Sequence, residues 1–309
     1  MSEPADAPRT AQQQTSPREE ILLGRYRVLA RRGTGGFGTV CTCWDLRLQR
    51  RVAIKRLPIL DDAATTTADE ALAEARTACM LGHPNIVTVF DFESDGAYAY
   101  IVMEYVDGLN LAELLARVEG GRLTCEECAQ VLDSVAGALE FAHENRVLHL
   151  DIKPTNIMID RQGVVKLADF GMATLASAAG YGGARGGTVG YMPPEQIEGM
   201  LVDERSDVFS LAVVLWQALS GACPFAADSA AASLRLIERG PRRPLSRDCP
   251  ELAGDPELIL SDALAPQASV RPADVREFAD ELLSWMGDPH AGAASLRELV
   301  DQAEKDDGS

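Results

Sequence analysis

Strand-forming residues fill Tyr26 to Ala30 and Thr39 to Trp44, on either side of a glycine cluster, and again Val52 to Lys55. On that third strand the period of two puts Ala53 and Lys55 on one face. Ile86 to Phe92 and Tyr98 to Glu104, around a Ser94-Asp95-Gly96 turn, complete a predicted sheet of about five strands, with Ala68 to Leu81 as its one helix. The chain then leaves the sheet at Tyr105-Val106-Asp107-Gly108, and Leu109 to Val118 and Cys125 to Asn145 read as helices. Ile157 to Ile159 and Val164 to Ala168 read as a short hairpin turned by Asp160 to Gly163. The longest apolar run, Val208 to Leu219, is interrupted by Ser210 and Gln217; it is too short for a membrane span and reads as a buried helix. The pattern predicts an α+β chain of two lobes: a small antiparallel sheet lobe over residues 21–105 and a larger, mainly helical lobe over 106–286. Residues 1–20 carry no periodicity and read as a disordered extension. Residues 287–309 read as a flexible acidic tail with one amphipathic piece, Leu296 to Ala303.

Composition narrows the classes. With 309 residues, 46% of them hydrophobic, a sizeable core is expected. A net charge of −18 argues against nucleic acid or an anionic membrane as the main partner. Charge is uneven, however. Between Gly24 and Leu57, Arg25, Arg27, Arg31, Arg32, Arg47, Arg50, Arg51, Lys55 and Arg56 oppose only Asp45, a bias that suits an anionic cofactor, with a solvated basic face as the plainer reading. The polar N-terminus lacks the apolar core of a secretory signal, and the odd count of 7 cysteines is not a disulfide framework. Cytoplasm is the expected compartment. Cys125 and Cys128 lack the further ligands of a structural zinc site and read as packing, with a redox pair as the alternative; Cys41 and Cys43, on one face of a strand, read as packing too.

The candidate chemistry sits in Val147 to Gly171. Antiparallel pairing of the hairpin brings its outer ends together, so Asn156 and Asp169 should lie side by side with oxygens free to share one ion. Hard oxygen donors suit magnesium, above all where phosphates complete the shell. Asp151 lies a few residues upstream with Lys153 two positions on, so a carboxylate and an ammonium should flank that ion. Gly33-Thr34-Gly35-Gly36-Phe37-Gly38 falls between two strands, a placement that lets backbone amides close over phosphates. Charge on Lys55 in an apolar strand calls for a partner. Glu74 and Glu70, one turn apart on the predicted helix, are the candidates, with two solvent-facing acids as the plainer reading.

In combination, His149-Leu150-Asp151, Lys153, Asn156 and Asp169-Phe170-Gly171 resemble the catalytic and metal loops of the protein kinases, specifically the bacterial type of eukaryotic-like serine/threonine kinase. The glycine loop, Val52-Ala53-Ile54-Lys55, Gly187 to Glu195, Asp207 and Arg271 extend the resemblance over about Gly24 to Trp285. It implies the two-lobed protein kinase fold and transfer of the ATP γ-phosphoryl group, with Mg2+, to Ser or Thr hydroxyls of protein substrates. By that resemblance Asp151 accepts the substrate proton, Lys153 offsets charge, Thr188 braces both, Lys55 held by Glu74 orients the phosphates, and Asn156 and Asp169 hold the metal. Arg32, Gly33, Gly35, Gly36, Phe37, Gly38, Val40, Ala53, Met103, Glu104, Val106 and Met158 would surround the nucleotide. Arg271 would pair with Glu195.

Two residues depart from the family pattern. Leu150 stands where many kinases carry arginine, so phosphate on Thr174 or Ser177 is not expected to be required. Arg32 stands where an aliphatic side chain usually roofs adenine, a place its methylene stem can still cover. These departures leave a nucleotide-binding pseudokinase as the alternative. A small-molecule phosphotransferase shares the two acids but has no use for the docking segment from Thr188 to Glu195. The chain is expected to be a free enzyme or an excerpt of a longer one.

Overall fold

The computed structural model describes residues 20–35, 38–58, 81–170, 189–240 and 244–307. Nine strands are found among them: β1 Ile21–Leu22, β2 Tyr26–Gly35, β3 Gly38–Asp45, β4 Arg50–Pro58, β5 Val89–Ser94, β6 Tyr98–Glu104, β7 Gly108–Asn110, β8 Ile157–Asp160 and β9 Val165–Leu167. The first six form one antiparallel sheet in the order β1-β2-β3-β4-β6-β5, one strand more than expected, because Leu22 pairs with Tyr26 and buries its side chain. On β4 the alternation is strict. Val52 and Ile54 are fully buried on one face with Cys41, Cys43 and Tyr26, while Ala53 and Leu57 join the cluster on the other. Cys41 and Cys43 are therefore packing residues, as read. Among the described residues, Asp45 has an anchoring role: Arg25 donates to both its oxygens, at 3.0 and 2.6 Å. That pairing holds its carboxyl down at about 2.

Two boundaries need correction. Strand β5 starts at Val89, not Ile86, because residues 85–87 pair elsewhere: Leu167 N–H donates to the Asn85 carbonyl (2.8 Å) and Val87 N–H to the Leu167 carbonyl (2.9 Å). The helix expected over Leu109 to Val118 is only Leu111–Leu115, here α1, preceded by β7. Asn110 decides this by capping the helix, accepting from Glu113 N–H at 2.9 Å while Glu113 accepts from Asn110 N–H at 3.0 Å. Strands β7, β8 and β9 form the second sheet, with Gly108 against Ile159–Asp160 so closely that a Cβ would lie 2.0 Å from the Ile159 carbonyl oxygen.

The helices beyond are α2 Cys125–Glu144, α3 Pro194–Ile197, α4 Glu204–Ser220, α5 Ala230–Arg239, α6 Asp255–Ala263, α7 Val275–Met286 and α8 Pro289–Asp307. Thr124 caps α2 through a reciprocal box with Glu127. Helix α4 contains the apolar run and is buried on nearly every face from Ser206 to Leu219, as a helix apolar all round must be. It starts at an Asp203 cap and stops at Gly221, whose φ of +81° ends the helix in the left-handed region.

The acidic tail expected to be flexible is instead α8. Gly292, Leu296, Val300 and Ala303 fall at helical spacing, and the last three are buried in the same core as α2 and the β8–β9 hairpin. Gly292 makes this possible, since a Cβ there would lie 1.9 Å from the Glu126 carbonyl oxygen of α2.

Candidate active site

The site is built on the segment from His149 to Phe170. Three atoms of α2 and the segment itself converge on Asp207 of α4: His149 N–H (2.9 Å), Leu150 N–H (2.8 Å) and His143 Nε2 (2.8 Å). Asp207 is wholly buried, so its charge is balanced by these donors rather than by water. The Leu150 carbonyl accepts from Gln196 Nε2 at 2.8 Å. Both polar atoms of Leu150 are thus fixed, and the residue is held at a φ of +59°. His149 is buried with its ring edge-on to Phe170 at 4.6 Å. Its Nδ1 accepts from Asp151 N–H (3.2 Å), which puts its proton on Nε2, 2.9 Å from the Ala168 carbonyl. One imidazole therefore ties the segment around Asp151 to the end of β9.

Asp151 projects next to this tie. Lys153 Nζ lies 2.8 and 2.7 Å from its two oxygens, and Asn156 Nδ2 donates to its carbonyl (2.8 Å) and to Oδ2 (3.2 Å). With its nitrogen so committed, Asn156 turns its amide oxygen away from Asp151. Ala168 N–H donates to the Asn156 carbonyl at 2.8 Å, so the outer ends of the hairpin meet as the pairing required. Asp169 follows at a φ of +71° and receives Lys55 Nζ on Oδ2 at 2.7 Å. Burial alone would push its carboxyl up. Lys55, helped by Lys153, more than offsets that and holds it below the usual carboxylate range.

The residues expected around adenine also gather. Met103 and Val106 are buried with Val87, Ala99, Ile101 and Leu57, and Ala53, Met158 and Ala168 pack against them, so one apolar cluster draws on both sheets. Val40 pairs with Lys55 across β3 and β4, and with Gly33 across β2 and β3. Gly35 pairs with Gly38, placing the glycine loop at a hairpin tip. Gly38 takes a φ of +132°, with the Arg56 carbonyl oxygen 2.1 Å from where a Cβ would stand. Arg32 is exposed.

Some expectations fall elsewhere. Glu74, Glu70, Gly36, Phe37, Gly171, Thr174, Ser177 and Thr188 lie outside the described residues, and the partner seen on Lys55 is Asp169. Sequence reasoning missed Lys166, whose Nζ lies 2.9 and 3.1 Å from the two oxygens of Glu104. This pair joins β9 to the end of β6. The polar alternation Val165-Lys166-Leu167 was the available signal, but nothing local points to a partner 62 positions away.

At the foot of the helical lobe, Arg271 is fully used. Its two terminal nitrogens reach Glu195 at 2.7 and 2.9 Å, and its remaining hydrogens go to the carbonyls of Ala265, Pro266 and Arg205.

Comparison with known proteins identifies the family of the chain that carries this arrangement. The protein kinase domain matches residues 26–289. The chain belongs to that family. Among curated relatives, serine/threonine-protein kinase PknA of Mycobacterium tuberculosis is 40% identical over 273 residues, 86% of this chain and 62% of that protein. Serine/threonine-protein kinase PrkC of Bacillus subtilis is 37% identical over 211 residues, covering 68% of this chain and 32% of that protein. A probable serine/threonine-protein kinase PknB of Bifidobacterium longum is 37% identical over 93% of this chain and 43% of its own length. The chain thus spans between about a third and three-fifths of these relatives. A crystal structure of the Mycobacterium tuberculosis PknI kinase domain, in a cysteine-to-alanine variant, superposes with a TM-score of 0.69 at 29% identity, covering 88% of this chain and 100% of that one. The fold is the two-lobed protein kinase fold, and within it the β7–β8–β9 sheet carries Asn156 and the approach to Asp169.

Proposed function

We propose that this kinase transfers the γ-phosphoryl group of ATP to Ser or Thr hydroxyls of protein substrates. The observation that carries the reading is the convergence on one short hairpin of Asp151, Lys153, Asn156 and Asp169, with Lys55 reaching them from the other sheet. The relatives' names and Lys153, a feature of serine/threonine enzymes of the family, favour Ser and Thr as acceptors. Magnesium fits the donor set, because Asp169 is kept ionised and the amide oxygen of Asn156 is the end not spent on Asp151. When bound, it would offset negative charge on the phosphate oxygens.

The remaining roles belong to the chain. Lys55 orients the phosphates, the backbone of Gly33 to Gly38 approaches them, and the apolar cluster around Ala53, Met103, Val106 and Met158 receives the adenine. Asp151 accepts the substrate proton. A carboxylate offers about four lone pairs. Lys153 takes one on each oxygen and Asn156 a second on Oδ2, so Oδ1 is the oxygen with capacity for the hydroxyl. Lys153, already on Asp151, stands where charge on the transferring group needs offsetting.

No described helix is long and apolar enough to cross a membrane, and a supply of ATP suits the cytoplasm as the site of action. The test is incubation of purified protein with radiolabelled ATP, Mg2+ and a generic acceptor protein, followed by phosphoamino-acid analysis. Phosphoserine or phosphothreonine is expected, with turnover lowered about two to four decades by Asp151→Asn while nucleotide binding persists. Binding without transfer would establish the pseudokinase instead, and transfer indifferent to Asp151→Asn would reject the assigned base.

A further inference from the structure

The match to the kinase domain ends where α8 begins, yet α8 is fitted to the catalytic hairpin rather than merely appended. Three contacts establish the fit. Gly163, in the β8–β9 turn, holds a φ of +81°, and a Cβ there would stand 2.1 Å from the Ala293 carbonyl oxygen of α8. Ser295 Oγ donates at 2.5 Å to Glu127 Oε1, whose other oxygen caps α2. At the far end of α8, Glu304 accepts from Arg161 Nη2 at 2.6 Å.

Arg161 is the residue through which this contact reaches the nucleotide site. Its backbone N–H donates to the Asp107 carbonyl at 3.0 Å, and its Nε lies 3.5 Å from Asp107 Oδ2. Asp107 follows Val106, part of the apolar cluster read as the adenine pocket, and precedes Gly108, which is clamped against Ile159. A guanidinium shared between Glu304 and Asp107 therefore couples the last helix to the segment that joins the lobes.

We infer that α8 is a brace for the nucleotide site, with Arg161 and Glu304 as positioning residues that set how tightly the adenine nucleotide is held. The inference rests on the kinase reading above, but its primary readout is nucleotide binding, which can be measured without any transfer. Removing one charge of the pair alters the tie without deleting the apolar contacts of Leu296 and Val300 that keep α8 folded onto the core.

The experiment measures the dissociation constant of a fluorescent ADP analogue, KM for ATP, kcat and Tm for the full chain and for Glu304→Gln, Arg161→Gln and the double variant. The expected result is a dissociation constant and KM raised on the order of two- to fivefold in each single variant, the range an exposed ion pair spans. Ground-state and transition-state binding should weaken together, leaving kcat unchanged. Because both residues act through one contact, the double variant should be no weaker than Arg161→Gln alone. Unchanged nucleotide affinity in both single variants would overturn the brace. So would a fall in Tm accompanied by fewer active molecules at unaltered KM, the signature of a purely structural helix. A wild-type chain that bound the analogue but transferred no phosphoryl group would overturn the kinase reading alone, since the binding constants would still decide the brace.

Discussion

Arg271→Ala removes a side chain that is fully buried and satisfies five acceptors: the two oxygens of Glu195 and the carbonyls of Ala265, Pro266 and Arg205. What remains is a buried Glu195 with Ser206 Oγ, at 2.7 Å, as its remaining side-chain donor among the described contacts. Breaking such a pair from one side costs about 3–5 kcal/mol, because an uncompensated charge stays behind. For a chain of this size that corresponds to a fall in Tm on the order of 10 °C. Thermal unfolding followed by circular dichroism reads it directly. A double variant, Glu195→Leu with Arg271→Met, should recover roughly half of the loss, since no charge is stranded although the backbone carbonyls still lose their donor.

The pH dependence adds a test of sign. In the native chain burial would raise the Glu195 carboxyl, but Arg271 and Ser206 outweigh it and hold it below the ordinary glutamate range. A depressed folded pKa contributes stability that is present above the unfolded value and lost as pH falls through the folded one. Without Arg271, burial, the largest cause, is opposed only by the Ser206 hydroxyl and the residue's own backbone N–H, so the folded pKa should rise above the unfolded one. The variant's contribution is then favourable at low pH and lost as pH rises through the raised value, the reverse of wild type. A loss under about 1 kcal/mol, or an unchanged pH slope, would refute the claim that the pair is buried and isolated from water.

Two further outcomes follow from the site. Lys166→Met strands the partly buried Glu104 with Thr88 N–H at 3.2 Å, and should raise KM for ATP about threefold to tenfold with kcat nearly unchanged, as steady-state kinetics would show. Asp207→Asn leaves a single oxygen for three donors, and should lower stability by about 2 kcal/mol and kcat by at least about tenfold, measured by denaturant unfolding and single-turnover transfer.

The residues gathered at the candidate site were legible as neighbours because their spacing is local. Asp151, Lys153 and Asn156 fall within one turn and a hairpin, and antiparallel pairing alone puts Asn156 near Asp169. Lys55 announced its need for a partner by standing in an apolar strand. What was illegible is long-range or very short. Strands β1 and β7 span two and three residues, too few for a period to register. The acidic C-terminal segment looked unstructured because its contact stripe runs through Gly292 and Ala303 as much as through Leu296 and Val300. Small residues there permit close backbone approach, a use of burial that hydrophobicity does not report.

The strained backbone of the site shows how the apolar run and the segment around Asp151 depend on each other. Leu150 and Asp169 both stand at positive φ, a conformation that costs a non-glycine residue about 1–3 kcal/mol and persists only where surroundings over-determine it. For Leu150 the determinants are Asp207 on its N–H and Gln196 on its carbonyl; for Asp169 the determinant is Lys55 on its carboxylate. Asp207 can do this only because α4 is immobilised on all sides by Val208, Phe209, Leu211 and their neighbours, all fully buried. A helix buried on nearly every face therefore anchors the turn that carries Asp151. Loosening α4 by a core truncation such as Phe209→Ala should release that turn before it unfolds the lobe.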